Sequence, residues 1–270
     1  MLQRLDPAAY ERIRPLVGSL DYHLAVMSVL AGASRGVVYA VSDDAPRAAL
    51  IHTGHRWHLG GDPAGFADGL KQLFDEVVYP RGQAAGDFGF MLYPDDHPGW
   101  GEVIETALAG RPARRFTRHY YHLTALDHAR AAAVPAGMTV HAIDADLLAQ
   151  TTLTGYAELV EELHSERVSV EDFLAHSFGT CAVTGGAIAG MCTSEYNTGT
   201  RVEVGINTME AYQRKGVASA LLWAFAQIAF ARGVTEIGWH CWSENTPSVG
   251  TALKNGFRFV REYPATVAYF

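Results

Sequence analysis

Apolar positions recur along this chain with two different periods, and the switches between them mark its elements. From Pro7 to about Ala31 the spacing is helical, with a break expected near Gly18. Alternation then predicts strands at Gly36–Val41 and Arg47–His52, joined by an Asp43-Asp44 turn, and a further strand at His55–Leu59. A helix from Pro63 to Val77 follows, opened by a proline suited to a first helical turn. After it come a strand at Phe88–Tyr93, a helix at Pro98–Leu108 and a strand around Phe116–Leu123.

The stretch His128–Gly137 is rich in alanine, holds Pro135-Ala-Gly137, and reads as a linker. Beyond it the pattern predicts a strand at Met138–Ile143 and an amphipathic helix over Ala145–His164, with Leu153, Tyr156, Val160 and Leu163 on one face. A short helix at Val170–Ser177 precedes strands at Gly179–Val183, Ala187–Glu195 and Arg201–Thr208. The turns Thr184-Gly-Gly186 and Asn197-Thr-Gly199 make these three strands antiparallel neighbours. An apolar helix runs from Val217 to Arg232 and stops at Gly233. A strand at Glu236–Trp242, a helix at Thr246–Asn255 and one or two strands in Phe257–Phe270 close the chain. The class is α/β, with an N-terminal α/β domain over 1–130 and a second domain over 135–270. The first half repeats part of the order of elements in the second.

Composition narrows the chemistry. Of 270 residues, 49% are apolar, enough for a core that needs no disulfide or metal. Twenty-one Lys and Arg against 29 Asp and Glu leave a charge of −8, which argues against a nucleic-acid enzyme and suits a neutral or cationic small substrate. Cys181, Cys192 and Cys241 share no C-x-x-C spacing, so neither a disulfide framework nor a Cys-rich zinc site is expected. His52, His55 and His58 alternate faces on a strand and lack a completing ligand, so no metal is expected. Arg111, Arg114, Arg115 and Arg118 read as a solvated strand face. Without an apolar leader, and with Val217–Phe230 too short for a membrane span, the expected location is cytoplasmic with no membrane partner.

The informative segment is Glu203-Val-Gly-Ile-Asn-Thr208 followed by Gln213-Arg-Lys-Gly-Val-Ala218 and the apolar helix. A strand, a short glycine-containing loop and a helix N-terminus form an anion site, because successive amides are unpaired there and the helix dipole is positive. The spacing is neither that of a Walker loop nor of a dinucleotide fingerprint. Downstream, Asn245 opens a helix that ends in Gly256-Phe257.

With these motifs the sequence resembles the GNAT acetyltransferases, whose acetyl-CoA loop follows Q/R-x-x-G-x-G/A; Gln213, Gly216 and Ala218 match it. Ser194-Glu-Tyr196, Gly238-Trp-His-Cys-Trp242, Asn245-x-Pro-Ser248 and Lys254-x-Gly-Phe257 look like the zwittermicin A resistance-type branch. The resemblance implies a C-terminal GNAT fold, a mixed and largely antiparallel sheet flanked by helices. It implies that the backbones of Ile206, Asn207 and Thr208 pair with the pantetheine arm of acetyl-CoA. The amides of Arg214, Lys215, Gly216, Val217, Ala218 and Ser219 would then hold the pyrophosphate, with Asn245 and Ser248 beside the pantetheine. The implied activity is N-acetylation of a small-molecule amine by direct transfer in a ternary complex, by a monomer or homodimer. A protein amine, a longer acyl chain and a non-catalytic acyl-CoA sensor are the alternatives.

Glu203 is the first candidate for the base, since a lone carboxylate on a central strand is expensive to bury without a task or a partner. Alternation sets Glu203, Gly205 and Asn207 opposite Val202, Val204 and Ile206. Glu195 is the second candidate, as base or as a contact for a cationic acceptor. Glu158, Glu161 and Glu162 share a polar helix face, and His240 and Cys241 point to opposite sides of their strand. Many relatives carry a Tyr four residues before the Gly of Gly-Phe, as proton donor to the leaving thiolate; here that position is Ala252. The first half lacks any counterpart of Gln213–Ala218, so it is expected to be a degenerate GNAT-like domain or a substrate-shaping cap.

Overall fold

A computed structural model describes residues 2–41 and 45–270, and only the backbone at Glu166. The Asp43-Asp44 turn lies outside the described residues. Contacts gather the chain into two compact units, Met1–Arg118 with Tyr263–Phe270, and His119–Glu262. The units follow contacts and not chain order.

The first unit contains β1 (Gln3–Arg4), a 3-10 segment (Pro7–Leu20), α1 (Leu24–Leu30), β2 (Val37–Ala40), β3 (Ala48–Thr53) and β4 (Arg56–Gly61). Then come α2 (Ala67–Leu73), a π turn (Phe74–Val78), α3 (Tyr79–Ala85), β5 (Gly89–Pro94), α4 (Trp100–Ala107) and the start of β6 (Ala113–Leu123). The first predicted helix is broken by its own residues. Pro15 cannot donate, Val17 leaves helical angles at φ −114, and the chain restarts at His23. The helix expected to end at Val77 continues to Ala85. Pro80 removes one amide and its ring conflicts with the carbonyl four residues back, and the π turn just before it absorbs the misfit.

The second unit holds the end of β6, then β7 (Thr139–Ala142), α5 (Ala145–Leu148), α6 (Tyr156–Glu166), α7 (Val170–His176), β8 (Gly179–Thr184) and β9 (Ala187–Thr198). It continues with β10 (Arg201–Thr208), α8 (Val217–Ala231), β11 (Glu236–Trp242), α9 (Thr246–Lys254) and most of β12 (Arg258–Tyr269). The predicted Ala145–His164 helix is two helices. Between them Thr154 bonds across to β9, donating to the Gly186 carbonyl (3.0 Å) and accepting the Ile188 amide (2.9 Å), and Gly155 at φ +86 opens α6. Leu153 therefore lies off the helix, and Leu159 and Leu163 form its buried stripe. The region Phe257–Phe270 gives one strand, β12.

Both units repeat one plan: strand, helical pair or trio, three antiparallel strands, helix, a strand parallel to the third, helix, strand. β2–β3–β4 and β8–β9–β10 are the antiparallel triplets, and β4–β5 and β10–β11 the parallel pairs. The strand beyond each parallel pair comes from the other half of the chain. β12 pairs with β5 in the first unit (Thr266 opposite Leu92), and β6 lies beside β11 in the second. Each sheet is mixed, largely antiparallel and flanked by helices.

In the second unit both sheet faces are covered, which is why β8 and β9 read as nearly continuous apolar runs. Ala182, Ala189, Cys192, Val202, Val204, Ile237, Trp239 and Cys241 pack with α8 and with Ala252 of α9. Cys181, Ile188 and Met191 pack with α5, α6 and α7. Burial pushes the Cys181 thiol up to about 12 and that of Cys192 well above its ordinary value, so both act as small apolar groups.

In the first unit the His52 ring stacks on Trp57 at 3.8 Å. Burial lowers its pKa to about 4; a hydrogen bond with the Gly54 backbone opposes the shift, and the charges of His55 and Arg81 add to it. The unfolded chain therefore binds this proton at higher pH than the folded one, and the stabilisation is present above pH 6.5 and lost as pH falls towards 4. Relative to His52→Phe, the wild type should lose on the order of 3 kcal/mol between about pH 7.5 and about pH 4 in urea denaturation. A pH-independent difference would contradict the buried neutral imidazole.

Candidate active site

β10 and β11 pair in parallel over only Arg201–Glu236, Val202–Ile237 and Glu203–Gly238. Beyond Glu203 they part, although β10 stays bonded to β9 as far as Thr208 opposite Gly190. The β11-facing backbone groups of Val204 to Thr208 thus have no strand partner, in a sheet where such groups are ordinarily satisfied. The register of β9 against β10 also shifts here, with Glu195 the extra residue opposite the Glu203–Val204 step.

The gap opens into a cavity of about 670 Å³ on the α8 side of the sheet. Ile206, Asn207 and Thr208 line it along β10, and Gln213, Arg214, Gly216, Val217, Ala218 and Ser219 at the head of α8. Trp239, Asn245 and Ser248 complete the far wall. Lys215 does not line it; its ammonium turns back onto the Ala211 carbonyl at 2.8 Å and over the Tyr212 ring.

The loop into α8 has the geometry of an anion cradle. Arg214 (φ +59) and Gly216 (φ +87) are both left-handed, and Arg214 is the one non-glycine residue with positive φ among the described residues. Left-handed turns flanking Lys215 direct successive amides to one side, ahead of a helix of 15 residues whose N-terminus has no side-chain cap. The Gln213 amide donates to the Thr208 carbonyl (3.2 Å) and fixes the loop to the strand end. On the facing helix Asn245 caps α9 by accepting the Ser248 amide (3.1 Å), while the Ser248 hydroxyl accepts from the Trp239 indole (3.1 Å). Asn255 donates to the buried Ser219 hydroxyl at 3.1 Å.

Glu203 and Glu195 line no part of this cavity. Glu203 lies on the opposite, α6-side face with its side chain 8% exposed, and its Oε1 is 3.3 Å from His240 Nε2. The His240 ring stacks on Tyr120 (4.6 Å, 19°). The Tyr120 hydroxyl donates to Glu236 (2.9 Å), which also accepts from Arg201 (2.9 Å) and faces His122 at 3.3 Å. Odd positions of β10 and even positions of β6 and β11 thereby converge into one polar row. Burial, then the charge of Glu236, raises the Tyr120 pKa. For Glu236, burial would raise the pKa, but Tyr120, Arg201 and His122 outweigh it and the net shift is downward.

Glu162 belongs to the same face. Its carboxylate accepts from Thr193 (3.3 Å), and a Cβ at Gly205 would lie 3.1 Å from Glu162 Oε1 and 3.8 Å from Glu195 Cβ. Glu162 is therefore turned to the sheet, whereas Glu158 and Glu161 are exposed. From sequence His240 is weighed only beside Cys241, and neither it nor Tyr120 nor Gly238 is placed at Glu203. Parity along β11 puts His240 beside Glu203, but only the parallel register sets which pair meets, and nothing local reveals that β6 is their neighbour.

Other sequence features disperse. His52 and His55 border a cavity in the first unit, whereas His58 packs on Tyr93 and His23. Arg111 pairs with Asp75, Arg115 with Glu105, and Arg118 donates to the Tyr93 hydroxyl. No helix among the described residues is long and apolar enough to cross a membrane.

Comparison with known proteins bears on what such a site does. The family model described as GNAT acetyltransferase matches residues 14–266. The uncharacterized N-acetyltransferase YdfB of Bacillus subtilis (strain 168) is 24% identical over 265 residues, 97% of each chain. The fold is similar to that of a GCN5-related N-acetyltransferase-like protein from Streptococcus suis 89/1591 (TM-score 0.76, 20% identity, 97% of this chain and 98% of that one). It is also similar to a GCN5-related N-acetyltransferase from Sphaerobacter thermophilus (TM-score 0.65, 16% identity, 99% and 95%). A tandem GNAT protein from the clavulanic acid biosynthesis pathway aligns at TM-score 0.58 and 13% identity over 99% and 98% of the two chains.

The row on the α6-side face depends on the absence of a side chain at Gly238. A Cβ there would lie 3.1 Å from Tyr120 Cε2 and 3.4 Å from Glu203 Cγ. Gly238→Ala should cost about 1–3 kcal/mol, read as a lower urea midpoint at unchanged slope. Gly250→Ala, where a Cβ meets nothing within 4 Å, is the control and should cost nothing.

Proposed function

Since this chain belongs to the GNAT acetyltransferases, we propose that it is an acetyl-CoA-dependent N-acetyltransferase of a small-molecule amine, working by direct transfer in a ternary complex. The observation that carries this reading is the parting of β10 and β11 immediately after Glu203 and Gly238. It leaves strand amides and carbonyls for an extended arm on the α8 side, and it opens the sheet beside a buried carboxylate on the other. The left-handed Arg214–Gly216 loop fits a pyrophosphate because its amides lie beside a helix N-terminus.

When bound, acetyl-CoA supplies the acetyl group as an activated thioester. Ile206, Asn207 and Thr208 would hold its pantetheine arm, and the amides from Arg214 to Ser219 its pyrophosphate. An amide of β10 freed by the splay serves to stabilise negative charge on the carbonyl oxygen. Glu203 takes the proton of the attacking amine, with His240 fixing its carboxylate at 3.3 Å. The carboxylates of Glu162 and Glu195, on the same face, favour an acceptor that arrives as a cation. With Ala252 in place of a tyrosine, the leaving thiolate takes its proton from water or from the acceptor's own ammonium. Residues 135–270 form the catalytic domain in this reading, and 1–130 a GNAT-like domain without a cofactor site. In that half the loop after β4 offers Asp62, whose carboxylate already accepts the Ala64 amide at 2.9 Å. A zwittermicin-type acceptor and a cytoplasmic location extend the same proposal.

Ala252, buried where a proton donor would stand, favours a second reading as an acyl-CoA sensor without turnover. Calorimetric titration with acetyl-CoA tests both. Binding of one equivalent, weakened at least tenfold in Gly216→Asp, is the expected outcome, and no binding at millimolar acetyl-CoA would sink both readings. In a free-thiol assay over a panel of amines, Glu203→Gln should lower kcat by about 10²–10⁴ with acetyl-CoA affinity held within about twofold. A wild type that binds acetyl-CoA and turns over no amine selects the sensor.

A further inference from the structure

The first unit contains a cavity of about 610 Å³ between the faces of β2, β3 and β4 and the helical run α2–π turn–α3. It lies within the size range of small-molecule sites and nearly matches the cavity in the second unit. It is also separate from the loop after β4 and the head of α2, which line a smaller cavity of their own.

Its floor is a stack of aromatic rings. His52 stacks on Trp57 at 3.8 Å and 24°, and Tyr39 lies 6.3 Å from Trp57 at 25°. Phe74 and Phe90 meet Trp57 edge-on, and Phe90 also lines the cavity, so the aromatic floor is packed before any ligand arrives. The π turn contributes Val77 and Val78 to the lining. The Phe270 ring, also in the lining, packs on Gly82, where a Cβ would come within 2.2 Å of it. An aromatic floor of this kind favours an aromatic ligand, met at the ring edges or at the outer face of the stack.

The polar groups are few and directional. Arg4 and Arg81 stand in the lining with no ion pair among the described residues, and His55 lies with them. Of the lining acids, Glu76 is engaged by the Gln72 amide at 3.0 Å, and Asp87 is the other. Two arginines beside an aromatic floor ask for an aromatic ligand with an anionic substituent.

We infer that this cavity is a second ligand site, independent of acyl transfer, which binds an aromatic carboxylate. The aromatic part packs against the His52–Trp57 stack and the carboxylate meets Arg81.

Indole-3-acetate is the probe, titrated calorimetrically into the full chain. The expected result is one site per chain with Kd on the order of 10–100 μM, typical of a ligand of this size. Val77→Trp, which fills the cavity, should abolish binding, and Arg81→Gln should weaken it about tenfold. Saturating coenzyme A should leave Kd unchanged. Absence of binding at millimolar probe, binding insensitive to Arg81→Gln, or displacement by coenzyme A would each overturn the assignment. Because Arg81 is exposed, Arg81→Gln keeps the test decisive even if Val77→Trp fails to fold.

Discussion

Two parallel strands that bond for three residue pairs and then separate set the layout of the second unit. A parallel pair can part only where something else takes over the work of its hydrogen bonds, because a buried amide without a partner costs about 1–3 kcal/mol. β10 keeps its strand form through its other edge, which stays paired to β9 as far as Thr208. The opposite edge faces the cavity. Everything assigned to cofactor recognition lies on or beside that edge: the end of β10, the loop tied to it by Gln213, and the head of α8.

The same geometry accounts for the polar row on the other face. Trp239, Val202 and Val204 pack under α8 and α9, which leaves Arg201, Glu203, Gly238 and His240 facing the α6 side by parity alone. Burying charge there is expensive unless each group has a partner. Glu203 has His240, and Glu236 has Tyr120, Arg201 and His122. Gly238 supplies the space into which the Tyr120 ring settles. A carboxylate placed this way is held still at the point where the sheet opens.

The two units share a plan yet diverge in detail. Their element order is the same, and each takes the strand beyond its parallel pair from the other half of the chain. The loops that follow the third strand of each triplet differ chemically: a left-handed arginine, a lysine and a left-handed glycine in the second unit, and Asp62 bonded to its own loop in the first. In the first unit the open volume lies instead beneath the π turn, where Pro80 forces a widened helix over an aromatic wall.

Much of this was legible in the chain itself. The hairpins at Gly185-Gly186 and Gly199, the helix stopping at Gly233 and the strand Glu236–Trp242 carry local signals, since turn residues and side-chain period act over a few positions. The loop Gln213–Ala218 was legible for the same reason: left-handed backbone and a helix N-terminus are local matters. The tertiary structure decided what depends on partners far away in sequence. It broke the Ala145–His164 helix because Thr154 finds a bridge to β9, and it turned Glu162 to the sheet through Thr193. It also brought Tyr120 and His240 to Glu203 by setting β6 beside β11. No period or propensity encodes those pairings. They follow from which strand edges remain free once the local elements have formed.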